Sequence, residues 1–92
     1  MVSDLDLEAR RKRLIFRAWH RGTKEADLIL GQFVERHVAG WDHGEIAWME
    51  RLLAEADADI LDWAMGKKPA PAGYDTEILR AMQALDYLAP SD

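Results

Sequence analysis

The amino-acid sequence predicts an all-α protein, a small single-domain five-helix bundle. Apolar residues recur at intervals of three and four along most of the chain, and the strict alternation typical of β-strands is absent. Proline occurs only at positions 69, 71 and 90, so no proline interrupts a periodic segment. We therefore expect one helical domain over residues 1–92, with short flexible ends at about 1–5 and 89–92 and a loop over 66–74.

The first two helices are predicted on either side of Gly22, a residue suited to ending a helix. The first runs over about 5–20, and its apolar stripe comprises Leu7, Leu14, Ile15, Ala18 and Trp19. The second begins at about 23–24 and ends near 39, with a core face formed by Ala26, Ile29, Leu30, Phe33, Val34 and Val38. Gly31 inside it costs about 1 kcal/mol relative to alanine, and close approach of a neighbouring helix would explain its presence.

Three shorter helices follow. Asp42 and Glu45 resemble a capping box that starts a third helix, whose core side is Ile46, Met49, Leu52, Leu53 and Ala56. The segment 57–59 offers a break and a new N-cap for a short fourth helix, which a glycine ends. Asp75 or Thr76 caps a fifth helix, whose inward residues are Ile78, Leu79, Met82, Leu85 and Leu88.

Charge is distributed unevenly around the net value of −5. Seven of the twelve basic residues fall within positions 10–24, whereas residues 42–62 carry seven acids and one base. This asymmetry favours an electrostatically marked docking face. Nucleic acid is one conceivable target of the basic segment, but the overall negative charge argues against it.

Catalysis is not predicted. The chain has no cysteine, and its two serines lie in the tails, at Ser3 and Ser91. No phosphate-binding loop, dinucleotide motif or nucleophile elbow is present. No zinc spacing connects the three histidines, His20, His37 and His43. A solvated helix end is the expected state of the acidic cluster of Asp57, Asp59 and Asp62. We expect no catalytic residue, no metal ligand and no cofactor-binding residue.

The N-terminal segment 1–8 has no apolar core and carries three acids, which is not typical of a secretory or mitochondrial targeting segment. No apolar run is long enough to span a bilayer. We therefore expect a cytoplasmic protein.

Four tryptophans are candidates for core packing or ligand stacking. Trp48 and Trp63 are expected to be at least partly buried, and Trp41 to pack on the next helix as a staple. Trp19 lies on the apolar stripe, so we expect it in the core. Its position beside Arg21 leaves open an interface anchor with part of the ring exposed.

The segment R-G-T-K-E-A-D, residues 21–27, is the main candidate for function. In its simplest interpretation it is a helix C-cap, a glycine and an acidic first turn, with Arg21 paired to Glu25. The pattern R-G-x-x-E alone is common. Its position at a two-helix corner, directly after a basic amphipathic helix, gives it weight.

The run R-L-I-F-R-A-W-H-R-G-T-K-E-A-D-L-I-L-G-Q-F, over 13–33, resembles the SdhE family of FAD assembly factors (succinate dehydrogenase assembly factors). A second block, L-L-x-x-x-D-x-D with a following tryptophan, is similar to the family's second motif at Leu52, Leu53, Asp57, Asp59, Ile60, Leu61 and Trp63. Three residues depart from the family pattern. His20 stands where a basic residue, arginine or lysine, is common, Thr23 where a larger apolar residue is common, and Ala26 where leucine is common.

The resemblance implies a five-helix protein that is not an enzyme. Its expected partner is the flavoprotein subunit of succinate dehydrogenase or fumarate reductase, and its expected role is to promote covalent attachment of FAD. The FAD belongs to that client, and no cofactor is expected to stay bound to this chain. The expected partner-binding residues are Arg17, Arg21, Gly22, Glu25 and Asp27.

Two other interpretations stay open at this point. One is a small helical regulator or nucleic-acid-binding module that uses the basic segment 10–17. The other is a flavin carrier, which the missing phosphate-binding loop disfavours. With the family resemblance taken into account, we expect no nucleic acid partner, no membrane insertion and a monomer when the client is absent.

Overall fold

The computed structural model describes residues 4–88 of the chain, with side chains from residue 6 onward. This part forms five α-helices and two short 3-10 helices, and contains no β-strand. The α-helices are α1 (Asp4–Trp19), α2 (Lys24–His37), α3 (His43–Leu52), α4 (Asp57–Ala64) and α5 (Glu77–Gln83), and the 3-10 helices are Val38–Gly40 and Ala72–Tyr74. The predicted all-α five-helix fold is confirmed.

Several boundaries differ from the predicted ones. Of the predicted flexible ends, residues 1–3 and 89–92 lie outside the described part, whereas residues 4 and 5 belong to α1. α2 ends at His37 because the chain tightens there into the first 3-10 helix. The predicted loop over 66–74 closes with the second 3-10 helix. None of the helices within residues 4–88 has the length and apolar character needed to cross a bilayer.

The α1–α2 pair makes the most extensive helix contact among the described residues, and α1 also packs on α3. All six apolar side chains predicted for the core face of α2 are buried. From α1, Leu14 and Ala18 are buried, while Leu7 and Ile15 are half-buried. Because each fully buried large apolar side chain contributes about 1.5–3 kcal/mol, this pair anchors the domain.

Gly31 lies where α1 and α2 approach each other. The indole of Trp19 covers it so closely that an added Cβ would stand 2.3 Å from Trp19 Cδ2. The expectation that a neighbouring helix explains this glycine is confirmed, because no larger residue fits beneath the ring. Trp19 itself is half-buried, so its apolar stripe position is confirmed and part of the side chain remains exposed.

The predicted capping box at the start of α3 is formed. Asp42 Oδ1 accepts a hydrogen bond from the Glu45 N–H at 2.9 Å, and Glu45 Oε1 accepts one from the Asp42 N–H at 3.0 Å. Trp41, directly before the cap, is buried with its ring centroid 5.9 Å from that of Phe33. The two reciprocal bonds satisfy backbone donors that the first turn would leave unpaired.

The start of α4 differs from the prediction. Its N-cap is Ala56, which makes no side-chain cap, and Asp57 is the first helical residue. Ala56, predicted for the core side of α3, is exposed because α3 has already ended at Leu52. The Asp57 carboxylate instead binds Arg21 through Oδ1, as described below.

The end of α4 is a Schellman motif. Gly66 has φ +73°, its N–H donates to the Trp63 carbonyl at 3.2 Å, and the Lys67 N–H donates to the Asp62 carbonyl at 2.8 Å. The prediction that a glycine ends this helix is confirmed.

The tail after α5 returns to the core. α5 ends at Gln83, the chain turns at Leu85 with φ +56°, and Tyr87 packs against α2. The Tyr87 ring lies edge-on to Phe33 at 5.0 Å, and its hydroxyl donates to the Met82 carbonyl at 2.8 Å. Burial raises the pKa of Tyr87. Tyr87 was not among the residues predicted for the core.

Two predicted core tryptophans flank Tyr74. Trp48 and Trp63 are both buried, as predicted. The Tyr74 ring stacks on Trp63 at 5.5 Å and meets Trp48 edge-on at 5.9 Å. Its hydroxyl donates to Glu55 Oε2 at 2.8 Å, so the second 3-10 helix is attached to the segment between α3 and α4.

Candidate interaction surface

The corner between α1 and α2 is the centre of the candidate site. α1 ends at Trp19 and α2 begins at Lys24, so four residues make the reversal. Gly22 lies in this turn with φ +106°, and a Cβ added to it would meet nothing within 4 Å. The requirement for glycine is therefore conformational, because residues with a side chain rarely adopt such a φ.

Two polar side chains fix the turn locally. Thr23 is the N-cap of α2, and its Oγ1 accepts a hydrogen bond from the Ala26 N–H at 3.2 Å. Asp27 reaches back across the turn, and its Oδ1 accepts the Arg21 N–H at 2.6 Å. The backbone on both sides of Gly22 is thus held by residues of the first turn of α2.

Arg21 connects the corner to a distant part of the chain. Its Nη2 lies 2.7 Å from Asp57 Oδ1, its Nε donates to the same oxygen at 2.8 Å, and only 13% of its side chain is exposed. Nη2 also reaches the Glu55 carbonyl at 3.5 Å. The suggested pairing of Arg21 with Glu25 is wrong, because Asp57 occupies the guanidinium. The two sequence blocks that resemble the family motifs meet in this ion pair.

Glu25 faces outward in the first turn of α2. Its side chain is exposed and makes no hydrogen bond or ion pair with the residues that the structure describes. Gly22, Thr23 and Lys24 are exposed as well. The corner therefore presents a short exposed segment whose only acidic side chain is not used by the fold.

The basic residues of α1 fall into two groups. Arg10 binds Glu50 at 2.8 Å, and Arg11 donates to the carbonyls of Val38 at 3.2 Å and Trp41 at 2.8 Å, so both serve the fold. The Arg10 hydrogen bond holds the pKa of Glu50 below its usual range. Within residues 6–88, Lys12, Arg13 and Arg17 form no ion pair. Arg17 is half-buried, and the other two are exposed.

The exposed aromatic residue near the corner is Phe16, which the sequence analysis did not single out. It is 61% exposed, whereas Trp19, the predicted candidate anchor, covers Gly31. Its position could have been found from the sequence, since residue 16 falls on the helix face opposite Leu14 and Ala18.

The remaining polar candidates are dispersed. His20 stacks on Phe16, His37 lies beside Phe33, and His43 approaches Arg10. The described residues contain no group of side chains suited to a metal ion. In the predicted solvated acidic cluster, Asp59 is exposed, but Asp57 pairs with Arg21 and Asp62 lies 3.4 Å from Lys68.

Residues 4–88 enclose no pocket. The fold and the corner define a small helical protein whose candidate site is an exposed surface. A family model described as flavinator of succinate dehydrogenase matches residues 12–86. The chain belongs to this family.

Curated relatives agree with the family match. The chain is 42% identical over 81 residues to the FAD assembly factor SdhE of Acetobacter pasteurianus, covering 88% of this chain and 74% of that protein. It is 38% and 37% identical over 82 residues to the mitochondrial succinate dehydrogenase assembly factors 2-B of Drosophila persimilis and Drosophila melanogaster. The match covers 87% of this chain in both cases, and 52% and 53% of those proteins.

Proposed function

We propose that this chain is an assembly factor that binds the flavoprotein subunit of succinate dehydrogenase, or of fumarate reductase, and promotes covalent attachment of FAD. Family membership and the similarity to a FAD assembly factor support this role. The observation that carries it is the corner, where an exposed Glu25 follows a turn that Asp27 and Asp57 hold in place.

The corner residues divide into two roles in this proposal. Arg21, Gly22 and Asp27 shape the turn, because their polar groups or backbone conformation are engaged within the chain. Glu25 and Arg17 make the contacts with the client. Because the turn is ordered before binding, little conformational entropy is lost on association. These partner-binding assignments stay predictions.

The chemistry belongs to the client. Covalent flavin attachment uses the reactivity of the flavin and a histidine of the flavoprotein, so a helper acts by positioning. We propose that this chain is not an enzyme and holds no cofactor stably. The missing glycine-rich phosphate loop and the exposed nature of the candidate site support both statements.

The proposal also includes a monomeric state without client and a cytoplasmic location, both of which stay predictions. The alternative nucleic-acid-binding module is less well supported, since Arg10 and Arg11 of the basic segment are engaged by Glu50 and by backbone carbonyls.

The test compares cells with and without the gene. Flavoproteins are denatured, separated, and their covalent flavin is measured by in-gel fluorescence. We expect the fluorescence of the succinate dehydrogenase flavoprotein band to fall in the deletion strain at equal protein amount, and to return with a plasmid-borne copy. Equal covalent flavin in both strains contradicts the proposal.

A further inference from the structure

Three residues of α1, Arg13, Phe16 and Arg17, are followed at the same spacing by His20, the first residue after the helix. Arg17 is half-buried and the other three are exposed. The spacing of three, four and seven places all four in one row along the helix. We name this row the aromatic–basic stripe. Phe16 is 61% exposed, and the only other large apolar side chain exposed in the described part of the chain is Leu28, at 38%.

The aromatic part of the stripe is ordered without a partner. The rings of Phe16 and His20 stack at 4.0 Å with 17° between their planes. His20 Nδ1 lies 2.7 Å from the Phe16 carbonyl, and must donate, because a carbonyl has no proton. That carbonyl is among the last four of α1, which lack intrahelical donors. The bond therefore caps the helix and holds the imidazole against the phenyl ring.

The two arginines of the stripe, Arg13 and Arg17, are not neutralised by an ion pair within residues 6–88. Both lower the pKa of Glu50, but by less than Arg10, whose guanidinium binds that carboxylate. Glu50, the acidic group that both arginines influence, is itself bound by Arg10.

We propose that the aromatic–basic stripe is the apolar anchor of the client interface and receives an acidic segment of the flavoprotein that carries an apolar side chain. This inference rests on the proposed function. Two observations determine the occupant: the positive charge flanking Phe16, and continuity with the corner, since His20 directly precedes Arg21. Exposed aromatic residues beside arginine are typical of residues that dominate interface affinity.

A protein partner fits the stripe better than nucleic acid. A nucleic-acid surface gains affinity from many phosphate contacts, yet Arg10 and Arg11 in the middle of the same helix are engaged within the chain. The net charge of −5 adds repulsion of phosphate.

The experiment measures binding of the full chain to the purified apo-flavoprotein subunit by calorimetry. Phe16→Ala is expected to weaken binding about tenfold or more, with an unchanged thermal midpoint, because the side chain is exposed and alanine favours helix. The double variant Arg13→Gln, Arg17→Gln is expected to weaken binding and flatten its salt dependence. Lys67→Gln, Lys68→Gln makes the same charge change after α4 and serves as the matched control.

The possible outcomes separate the inference from the proposed function. If Glu25→Gln weakens binding and Phe16→Ala does not, the stripe inference is overturned and the proposed function stands. If the wild-type chain fails to bind the flavoprotein, the proposed function falls and the inference with it. A duplex DNA and a single-stranded RNA are tested in parallel. The inference would be overturned if the chain bound either nucleic acid and Phe16→Ala abolished that binding while flavoprotein binding stayed unchanged. The stripe would then be a nucleic-acid site.

Discussion

Two turns of this protein contain a glycine with positive φ, and they are held by different parts of the chain. At the end of α4, Gly66 lies in a Schellman motif whose two hydrogen bonds are made within six consecutive residues. At the corner, Gly22 is flanked by Arg21, which is bound to Asp57 on another helix. In neither turn would an added Cβ meet an atom within 4 Å.

The comparison separates two uses of the same residue type. The end of α4 is complete in itself, so Gly66 needs only to stop a helix. The corner needs a contact from a residue far along the chain, while the segment from Gly22 to Glu25 stays exposed. The turn is held in one conformation by contacts within the chain and is exposed to solvent. Such a segment loses little conformational entropy on binding, as expected of a docking surface.

The largest expected effect on covalent flavin comes from exchanging Gly22 for alanine, with Gly66→Ala for comparison. Gly22→Ala and Gly66→Ala should each lower the free energy of unfolding by about 1–2 kcal/mol, because both force a side chain into positive φ. Gly22→Ala should also weaken binding of the client at least about tenfold, equal to a loss of 1.4 kcal/mol, and should therefore reduce covalent flavin on the client. Gly66→Ala should leave covalent flavin near wild type. Chemical denaturation and in-gel flavin fluorescence measure the two effects. Equal flavin loss in both variants would show that only stability matters.

The second prediction concerns the packing behind the corner. Gly31→Ala should destabilise the protein by about 1–3 kcal/mol, since its Cβ would overlap the Trp19 ring. Combining it with Trp19→Leu should lose less stability than the sum of the single variants, because the smaller side chain leaves room. Additive losses in urea denaturation would mean that the ring does not press on Gly31.

The third prediction concerns the Arg21–Asp57 ion pair, the long-range contact that distinguishes the corner from the end of α4. Asp57→Asn should lower the free energy of unfolding by about 1 kcal/mol, since a partly exposed ion pair is weakened by solvent. It should also lower covalent flavin a few-fold. Asp59→Asn, an exposed position in the same helix, is the matched control and should change neither quantity. A wild-type flavin level in Asp57→Asn would mean that the corner keeps its shape without Arg21–Asp57.

The smallest effect is expected at the other arginine pair, Arg10–Glu50, which joins α1 to α3 away from the corner. The pKa of Glu50 is lowered from an ordinary value of 4.5 in the folded state. The ionised Glu50 carboxylate therefore stabilises the fold at pH values above 4.5, and this contribution is lost as the pH falls below 4.5 and the carboxylate is protonated. Glu50→Gln should be slightly less stable than wild type at pH 7, and the difference in thermal midpoint should shrink as the pH is lowered below 4.5. A difference that does not change with pH would exclude this ion pair as its cause.

Local patterns predicted most of the fold. The core face of α2 and the capping box of Asp42 and Glu45 follow from spacing within one helix or turn, so they could be read from the sequence. Gly31 could also be explained in advance. Glycine is unfavourable inside a helix, so its presence indicates the close approach of a neighbouring element.

What could not be predicted depends on contacts between distant residues. The Arg21–Asp57 pair joins positions 36 apart in sequence. Tyr87 enters the core because the chain turns at Leu85, a residue with positive φ that no local pattern indicates. The exposure of Phe16 could have been predicted from helical periodicity. It was not predicted because Phe16 directly follows two apolar residues, Leu14 and Ile15.

We propose that Glu25, which the corner exposes to solvent, contacts the client directly. Glu25→Gln and Glu35→Gln make the same change at two exposed positions of α2, and each is returned to the deletion strain at equal expression. Covalent flavin on the succinate dehydrogenase flavoprotein is then measured by in-gel fluorescence. The account predicts a strong loss with Glu25→Gln and a wild-type level with Glu35→Gln. A wild-type level with both variants would contradict it.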